Sequence, residues 1–290
     1  MKLLIKRLLI KLIFNKLLKN LLINKVINED IFIEGNKYFD FSKINENDLD
    51  KLFKKTSYYW RNVGSKKKDI YYSVLTHEKY RKVLSDVEKK NFLENGNEDI
   101  KDALNYAEKF SKTDRIIKSV LDFGCGVGRL SYNLPLSMPE IWCCDFSKIH
   151  LEEAKANLLE RFKDSKIHFK YLPDIFSICD LPKQDLIFSF LTLQHNTPPV
   201  INYLIYQLLN LLNKDGIAVL HIPLANVNYQ FDFEEYLRSK KSGKLIEMHL
   251  LPRSNLYKCA LDCDCELVFS ECKGHCGAGI YSEYVIFRKN

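Results

Sequence analysis

Three glycines at alternate positions, Gly124, Gly126 and Gly128, follow directly on an apolar run and constrain the fold of this chain most strongly. Residues 120–123 predict a short buried strand, because β-branched, aliphatic and aromatic side chains run straight into the first glycine. Glycine at these positions permits a tight turn and lets the backbone come close to a ligand. The run therefore predicts a ligand site at the carboxyl end of a strand.

The segment after the glycines predicts a helix and a second strand. Apolar positions between 130 and 136 indicate a helix that ends at Pro139 at the latest. Residues 141–144 then form a second predicted strand, which runs into Asp145, 21 residues after Gly124. Strand, glycine turn, helix, strand and acid is the general layout of a nucleoside site at the carboxyl ends of parallel strands.

The spacing of the glycines distinguishes between the sequence motifs of several cofactor sites. A dinucleotide fingerprint, G-x-G-x-x-G, would place its third glycine at position 129, which is Arg129. The chain contains no P-loop string G-x-x-x-x-G-K-[ST]. Asp122 stands just before the first glycine, and an acid there suits a ligand with positive charge better than a pyrophosphate.

The run Asp122-Phe-Gly124-Cys-Gly126-Val-Gly128 resembles the first motif of the class I S-adenosylmethionine-dependent methyltransferases, and Asp145 resembles their ribose-binding acid. The resemblance covers about residues 58–289 and is looser outside these positions. It implies an α/β fold, a doubly wound, seven-stranded, mostly parallel Rossmann-like sheet with a helical N-terminal extension. It also implies S-adenosyl-L-methionine as cofactor and a bacterial enzyme of the small-molecule or glycan type.

The resemblance implies a set of cofactor-binding residues at the carboxyl ends of the strands. The set is Asp122, Gly124, Cys125, Gly126, Gly128, Asp145, Phe146, Asp174 and Phe190. Among these, Asp174 stands where this fold usually presents a polar group to the adenine amine. The loop at 173–183 can be aligned in more than one way.

The rest of the chain supplies the strands that the fold requires. The predicted strands are 167–172, 185–191, 217–223, 266–272 and 281–288. The last two predict the antiparallel hairpin that separates methyltransferases from dinucleotide-binding folds. The almost wholly apolar fourth strand leads to the polar turn 192–199, where His195 is the candidate general base for a hydroxyl acceptor. Alternatively, His195 is structural and holds the turn by hydrogen bonds.

Residues 29–116 predict a charged helical extension that caps the domain at 117–290. Five aromatic residues lie between positions 58 and 72, among them Trp60, Tyr71 and Tyr72. They are candidate lid or substrate residues, together with His275 in the last hairpin. Alternatively, they form a small aromatic core that ties the extension to the domain.

Residues 1–28 form a separate, basic and apolar segment. Seven lysines and arginines precede the first acid, Glu29, so the segment carries the whole formal net charge of +7. Its apolar runs are too short for a membrane span, and a secretory signal with a small-residue cleavage site is not expected. We expect a helix that lies on an anionic membrane surface or one that docks on a protein, and a body that does not bind nucleic acid.

The cysteines favour a reducing, cytoplasmic compartment. Their number, nine, is odd, and several fall in predicted strands. The C-x-C…C-x-x-H-C spacing over residues 263–276 does not match a pair of zinc knuckles, so we predict core cysteines and no metal.

The predicted function is methyl transfer to an oxygen or nitrogen of a small-molecule or glycan acceptor by in-line displacement. One alternative is a module that binds S-adenosylmethionine without turnover. Another is a nicotinamide oxidoreductase, which Arg129 and the predicted hairpin disfavour.

Overall fold

A seven-stranded sheet lies at the centre of the computed structural model, which describes residues 39–66, 69–112, 116–225, 229–240, 243–275 and 280–290. The strands are β1 Ser119–Phe123, β2 Glu140–Asp145, β3 Lys166–Tyr171, β4 Gln184–Ser189, β5 Leu212–Ala225, β6 Cys265–His275 and β7 Tyr281–Lys289. Their order in the sheet is β3-β2-β1-β4-β5-β7-β6, and β7 runs in the opposite direction to the other six strands. This topology confirms the predicted fold.

The central strands explain where a ligand site can form. β1 and β4 are buried along their whole length, as expected of parallel strands covered on both faces. β1 pairs with β2 on one side and with β4 on the other. The carboxyl ends of these three strands therefore meet at one edge of the sheet, the usual place for ligands in open α/β sheets.

Eight α-helices of the described residues surround the sheet. They are α1 Glu46–Val63, α2 Ile70–Val74, α3 Asp86–Glu94, α4 Asn97–Phe110, α5 Lys148–Leu158, α6 Pro198–Asn210, α7 Phe233–Arg238 and α8 Arg253–Asp262. One core lies between the sheet and α1, α6 and α8, and a second lies between the sheet, α4 and α5. A third, smaller core joins α2 and α3 to Val127, directly behind the glycine turn.

The helix predicted after the glycines was wrong. Only a single 3₁₀ turn, Ser131–Asn133, forms there, and Leu134 is extended with φ −63° and ψ 151°. The cause is Pro135, because a proline has no backbone N–H and disfavours helical geometry at the residue before it.

A long insertion after β5 is fastened to α1. Nζ of Lys55 donates to the carbonyl oxygens of Tyr236, Leu237 and Ser239 at 2.6, 2.8 and 2.6 Å, and so satisfies the last carbonyls of α7. A Cβ on Gly243 would lie 2.0 Å from the carbonyl oxygen of Lys55, so the two segments are in close contact. The insertion thereby holds α1 against the domain.

The basic segment 1–28 lies outside the described residues. Within the residues that the structure does describe, no helix is both long enough and apolar enough to cross a membrane. The surface contact predicted for residues 1–28 stays a prediction.

Candidate active site

A cavity with about 790 Å³ of empty space, part of it open to solvent, lies at the carboxyl ends of β1, β2 and β4. Nine of the residues singled out from the sequence line it: Trp60, Asp122, Gly124, Cys125, Gly126, Asp145, Phe146, Phe190 and His195. We call the part around Gly126, Asp145 and Phe146 the glycine half. The part around Trp60, Phe190 and His195 is the histidine half.

The glycine turn keeps the backbone exposed to the cavity. Gly124 and Gly126 have φ values of +74° and +54°, in the left-handed region that L side chains rarely adopt. A Cβ on Gly124 would lie 2.1 Å from Cγ2 of Thr192, so its absence lets the turns after β1 and β4 meet. Gly128 instead faces α5, where a Cβ would lie 2.8 Å from Cδ1 of Leu158, and it does not line the cavity.

Asp145 is held in place by backbone donors. Its Oδ2 accepts from the N–H of Gly126 at 2.9 Å, and its Oδ1 accepts from the N–H of Ser147 at 2.7 Å. Burial raises the pKa of this carboxyl, whereas His150 and the two N–H groups act in the opposite direction. A carboxylate fixed in this way has lone pairs left for the hydroxyls of a ligand.

Asp122 is buried beneath the glycine turn. The hydroxyl of Ser131 donates to its Oδ2 at 2.7 Å. Burial raises the pKa of Asp122 to about 7, although Ser131 and Arg129 favour the ionised form. Arg129 is itself paired with Asp99 at 3.0 Å. Because Asp122 titrates near neutrality, a cation in the cavity would draw it into the ionised state.

His195 ends a 3₁₀ turn, Leu193–His195, just after β4. Its Nδ1 lies 2.8 Å from the carbonyl oxygen of Glu247. Because a carbonyl can only accept, Nδ1 carries the proton, and burial lowers the pKa of His195 to about 4. Nε2 therefore keeps a lone pair, 3.3 Å from the side-chain nitrogen of Gln194. The ring lies 4.7 Å from that of Trp60, between centroids.

The backbone leading to this histidine is strained. Leu191 has a φ of +55°, which is costly for a residue with a branched side chain. Leu191 and its neighbours Phe190 and Thr192 all line the cavity. The left-handed conformation of Leu191 turns the chain sharply after β4 and directs the polar turn toward the glycine half.

Comparisons with known proteins agree with this geometry. Residues 120–216 match the family model described as "Methyltransferase domain", which spans the glycine turn, Asp145 and the turn with His195. Residues 120–216 therefore form a methyltransferase domain, and the fold is that of the class I S-adenosylmethionine-dependent methyltransferases. The predictions of this family, of a methyltransferase and of its cofactor are confirmed. No curated protein matches the chain.

Solved structures with the same fold share little sequence with this chain. The magnesium protoporphyrin IX methyltransferase of Synechocystis PCC 6803 with bound S-adenosylhomocysteine is 15% identical, covers 81% of this chain and 100% of its own, and gives a TM-score of 0.55. An S-adenosylmethionine-dependent methyltransferase of Leishmania major is 16% identical, covers 84% of this chain and 88% of its own, and gives a TM-score of 0.54. They support the fold of the methyltransferase domain.

Several predicted site residues lie outside the cavity lining. Oδ1 of Asp174 accepts from the backbone N–H groups of Phe176 and Ser177 and from the Ser177 hydroxyl, so it caps a 3₁₀ turn. The Tyr71 hydroxyl donates to Oε1 of Glu153 at 2.6 Å, and its ring packs in the small core behind the glycine turn.

Of the other two lid candidates, the structure describes the side chain of Tyr72 only, and that side chain does not line the cavity. The ring of Tyr72 lies against the guanidinium of Arg81, 3.8 Å from its centroid, and Tyr72 does not line the cavity. His275 is the last residue of β6 and pairs in register with Tyr281, and its side chain lies outside the part of the chain that the structure describes. A role for it stays a prediction.

Sequence reasoning missed several residues of the methyltransferase cavity. They are Ser57, Ser73, Val74, Arg129, Leu130, His150, Leu191, Thr192 and Asn196. Ser57 lies three residues before Trp60 on α1, a spacing that places both on one helix face and could have identified it. The sequence did not single out His150, because it lies in a helix whose spacing pattern is set by the apolar Leu151, Ala154 and Leu158.

The residues present fit S-adenosylmethionine. Gly126 leaves open the space that a Cβ would fill, and Asp145 lines the cavity beside it with fixed oxygens. The buried Asp122 supplies a carboxyl suited to a cation, and Phe146 supplies an apolar surface for a flat ring. Among the described residues, no cluster of histidine, cysteine and acidic side chains could hold a metal ion.

Proposed function

We propose that this protein transfers the methyl group of S-adenosylmethionine to a hydroxyl group of a small-molecule or glycan acceptor. The observation that carries the proposal is the state of His195 in the histidine half. Its proton is on Nδ1, bound to the carbonyl of Glu247, so Nε2 carries the lone pair. This lone pair has a long contact of 3.3 Å with the Gln194 amide and can accept a proton from a substrate that displaces this contact. A hydroxyl is the acceptor that needs such a base at neutral pH.

The two halves of the cavity have different roles in the proposed reaction. In the glycine half, Asp145 binds and orients the ribose hydroxyls, and Phe146 lies beside the nucleoside. When bound, the cofactor supplies a methyl group that its sulfonium charge already activates. In the histidine half, Trp60 and Phe190 exclude water, and His195 accepts the proton of the acceptor hydroxyl. The Synechocystis enzyme, whose structure holds S-adenosylhomocysteine, supports this choice of cofactor.

The alternative of a non-catalytic module is disfavoured by the same turn. The strained Leu191 and the oriented ring of His195 would serve no purpose in a site that only held a nucleoside. The nicotinamide alternative is disfavoured by Arg129, which stands where a dinucleotide site has its third glycine and pairs with Asp99.

Calorimetric titration of the purified chain tests the proposal. S-adenosylmethionine and S-adenosylhomocysteine should bind, and NAD should not. A panel of phenols, sugars and amines, assayed with methyl-labelled cofactor, should then show transfer to hydroxyl groups. Binding of NAD alone would overturn the cofactor, and transfer only to amines would overturn the acceptor class.

We also propose a reversible contact between residues 1–28 and an anionic membrane. The support is the sequence, with seven basic residues and no acid in this segment. Each lysine or arginine near such a surface contributes roughly 1 kcal/mol, screened by salt. Flotation with phosphatidylserine vesicles should be lost when residues 1–28 are deleted, whereas cofactor affinity should persist. A deleted protein that still floats would contradict the contact.

A further inference from the structure

His150 is a buried titratable side chain of the cavity that the proposed reaction does not use. It is the third residue of α5, and its side chain is almost wholly buried. Its ring nevertheless lines the cavity. A buried polar ring costs free energy unless its two nitrogens are satisfied, so their partners show what the residue does.

Both ring nitrogens of His150 meet serine hydroxyls. Nδ1 lies 2.6 Å from Oγ of Ser147, and Nε2 lies 2.7 Å from Oγ of Ser73. The Ser73 hydroxyl already donates its only proton to the carbonyl oxygen of Ile70 at 2.7 Å. Ser73 must therefore accept from Nε2–H of the histidine.

Counting protons fixes the rest of the chain of hydrogen bonds. A neutral ring with its proton on Nε2 has a lone pair on Nδ1, so the Ser147 hydroxyl donates to Nδ1. Burial lowers the pKa of His150 and keeps the ring neutral, although Asp145 acts in the opposite direction. The hydrogen bonds thus run in one direction, from Ser147 through His150 and Ser73 to Ile70.

The two ends of this chain belong to different parts of the molecule. Ser147 also donates its backbone N–H to Oδ1 of Asp145, the acid of the glycine half. Ser73 and Ile70 belong to α2, in the helical extension before the sheet. Gly64, just after α1, lies against the same ring, since a Cβ there would be 3.3 Å from Cε1 of His150. The histidine therefore joins the extension to the acid.

We propose that His150 is a positioning residue for the cofactor, which couples the seating of residues 60–66 and 69–75 at the cavity to the orientation of Asp145. Trp60 and Val74, which line the cavity, lie within four residues of Gly64 and Ser73. Loss of the bond to Ser73 loosens the part of the cavity lining that Trp60 and Val74 form. Loss of the bond to Ser147 loosens the carboxylate of Asp145. This inference rests on the proposed binding of S-adenosylmethionine and adds a residue that sets its affinity.

Two substitutions of His150 distinguish the role of its bond to Ser73 from that of its bond to Ser147. The amide of asparagine reaches only as far as Nδ1, so His150→Asn keeps a partner for Ser147 and loses the bond to Ser73. The longer glutamine places an N–H donor near the position of Nε2, so His150→Gln keeps the bond to Ser73. Ser73→Ala removes the same bond from the other side, and Ser65→Ala, at an exposed serine of the same extension, is the control.

Titration of the full chain with S-adenosylhomocysteine gives the first readout. We expect His150→Asn and Ser73→Ala each to raise Kd about 10-fold, as for a lost hydrogen bond in a buried site. His150→Gln should stay within about 3-fold of the unchanged protein, and Ser65→Ala should bind like it. The double variant Ser73→Ala/His150→Asn should bind about as weakly as either single variant, because both remove one bond. The KM for the cofactor should follow Kd, with kcat at saturation almost unchanged.

Hydrogen exchange without ligand gives the second readout. The amides of residues 60–66 and 69–75 should exchange faster in His150→Asn than in His150→Gln. Unchanged affinity in a folded His150→Asn protein, equal losses in both His150 variants, or additive losses in the double variant would each overturn the coupling. Failure of the unchanged protein to bind S-adenosylhomocysteine would overturn the proposed function instead, while the exchange experiment would still test the link between extension and domain.

Discussion

The glycine half and the histidine half of the cavity differ in how their parts are distributed along the chain. The glycine half comes from one continuous stretch, from Asp122 to His150. The histidine half joins Trp60 on α1 to the turn at 190–196, and the carbonyl that orients His195 comes from Glu247 in the insertion. The glycine half is thus built from one stretch of chain, which Ser73 and Val74 of the extension contact, whereas the histidine half exists only when distant segments meet.

The chemistry of the two halves follows this difference. The glycine half uses backbone N–H groups and the carboxyl groups of Asp145 and Asp122, which serve binding and orientation. The histidine half uses side chains whose protonation depends on burial by other segments. Substitutions should therefore separate binding from turnover, and the predictions below test that separation.

The largest effect is expected at His195. His195→Gln should lower kcat by roughly 10²- to 10⁴-fold, the usual contribution of a general base, with unchanged affinity for S-adenosylhomocysteine. Steady-state kinetics and calorimetry measure the two quantities. With a pKa of about 4 in the unchanged protein, protonation of this ring should not limit kcat between about pH 6 and pH 8. An equal loss of affinity would show that the halves are not separable.

The second effect contrasts two glycines. Gly126→Val should weaken cofactor binding by about 100-fold, because the side chain enters the cavity and the φ of +54° is strained. Gly128→Ala should mainly lower the melting temperature, because its Cβ would meet Leu158 on α5. Calorimetry and thermal unfolding of both variants test the contrast. Equal losses of affinity would place Gly128 in the ligand site after all.

The third effect concerns the acid of the glycine half. Asp145→Ala should weaken binding by about 1.5–3 kcal/mol, the range for hydrogen bonds to a charged group. Asp145→Asn, which keeps one oxygen, should lose less. Calorimetry with S-adenosylhomocysteine measures both. If a correctly folded Asp145→Ala protein keeps full affinity, the ribose lies elsewhere.

The smallest effect is a pH dependence set by Asp122. The pKa of Asp122 in the folded protein, about 7, lies above the ordinary value of 3.8. Asp122 therefore stabilises the folded, ligand-free protein relative to the unfolded chain below about pH 4, and this stabilisation is lost as the pH rises through 7. A cationic cofactor favours the ionised carboxyl, so affinity for S-adenosylmethionine should rise at most about 10-fold from about pH 6 to pH 8. Titrations across this range should show a flat profile for Asp122→Asn. A rise that persists in this variant would assign it to another group.

The difference between local stretches and contacts of distant segments also explains how much of the structure could be predicted from the sequence. The seven strands, the glycine turn and Asp145 are encoded by neighbouring residues, and these parts were recognised. The aromatic cluster around Tyr71 was not resolved, because periodicity does not show which partner a ring will meet. The Tyr71 hydroxyl bonds Glu153, 82 residues away, and its ring packs on Phe92. Asp174 has the expected position in sequence, but its carboxylate caps its own turn.

The contact between Lys55 and the end of α7 has a consequence for synthesis of the protein. Its partners lie 181 to 184 residues further along the chain. A ribosome adds roughly 5–20 residues per second, so α1 waits on the order of 10 s or more before the carbonyls that receive Lys55 exist. By about the middle of that interval the glycine turn and Asp145 have been made, while the helix that bears Trp60 still lacks its contact with α7. The growing chain therefore acquires the parts of its nucleoside site well before it can close the wall beside His195.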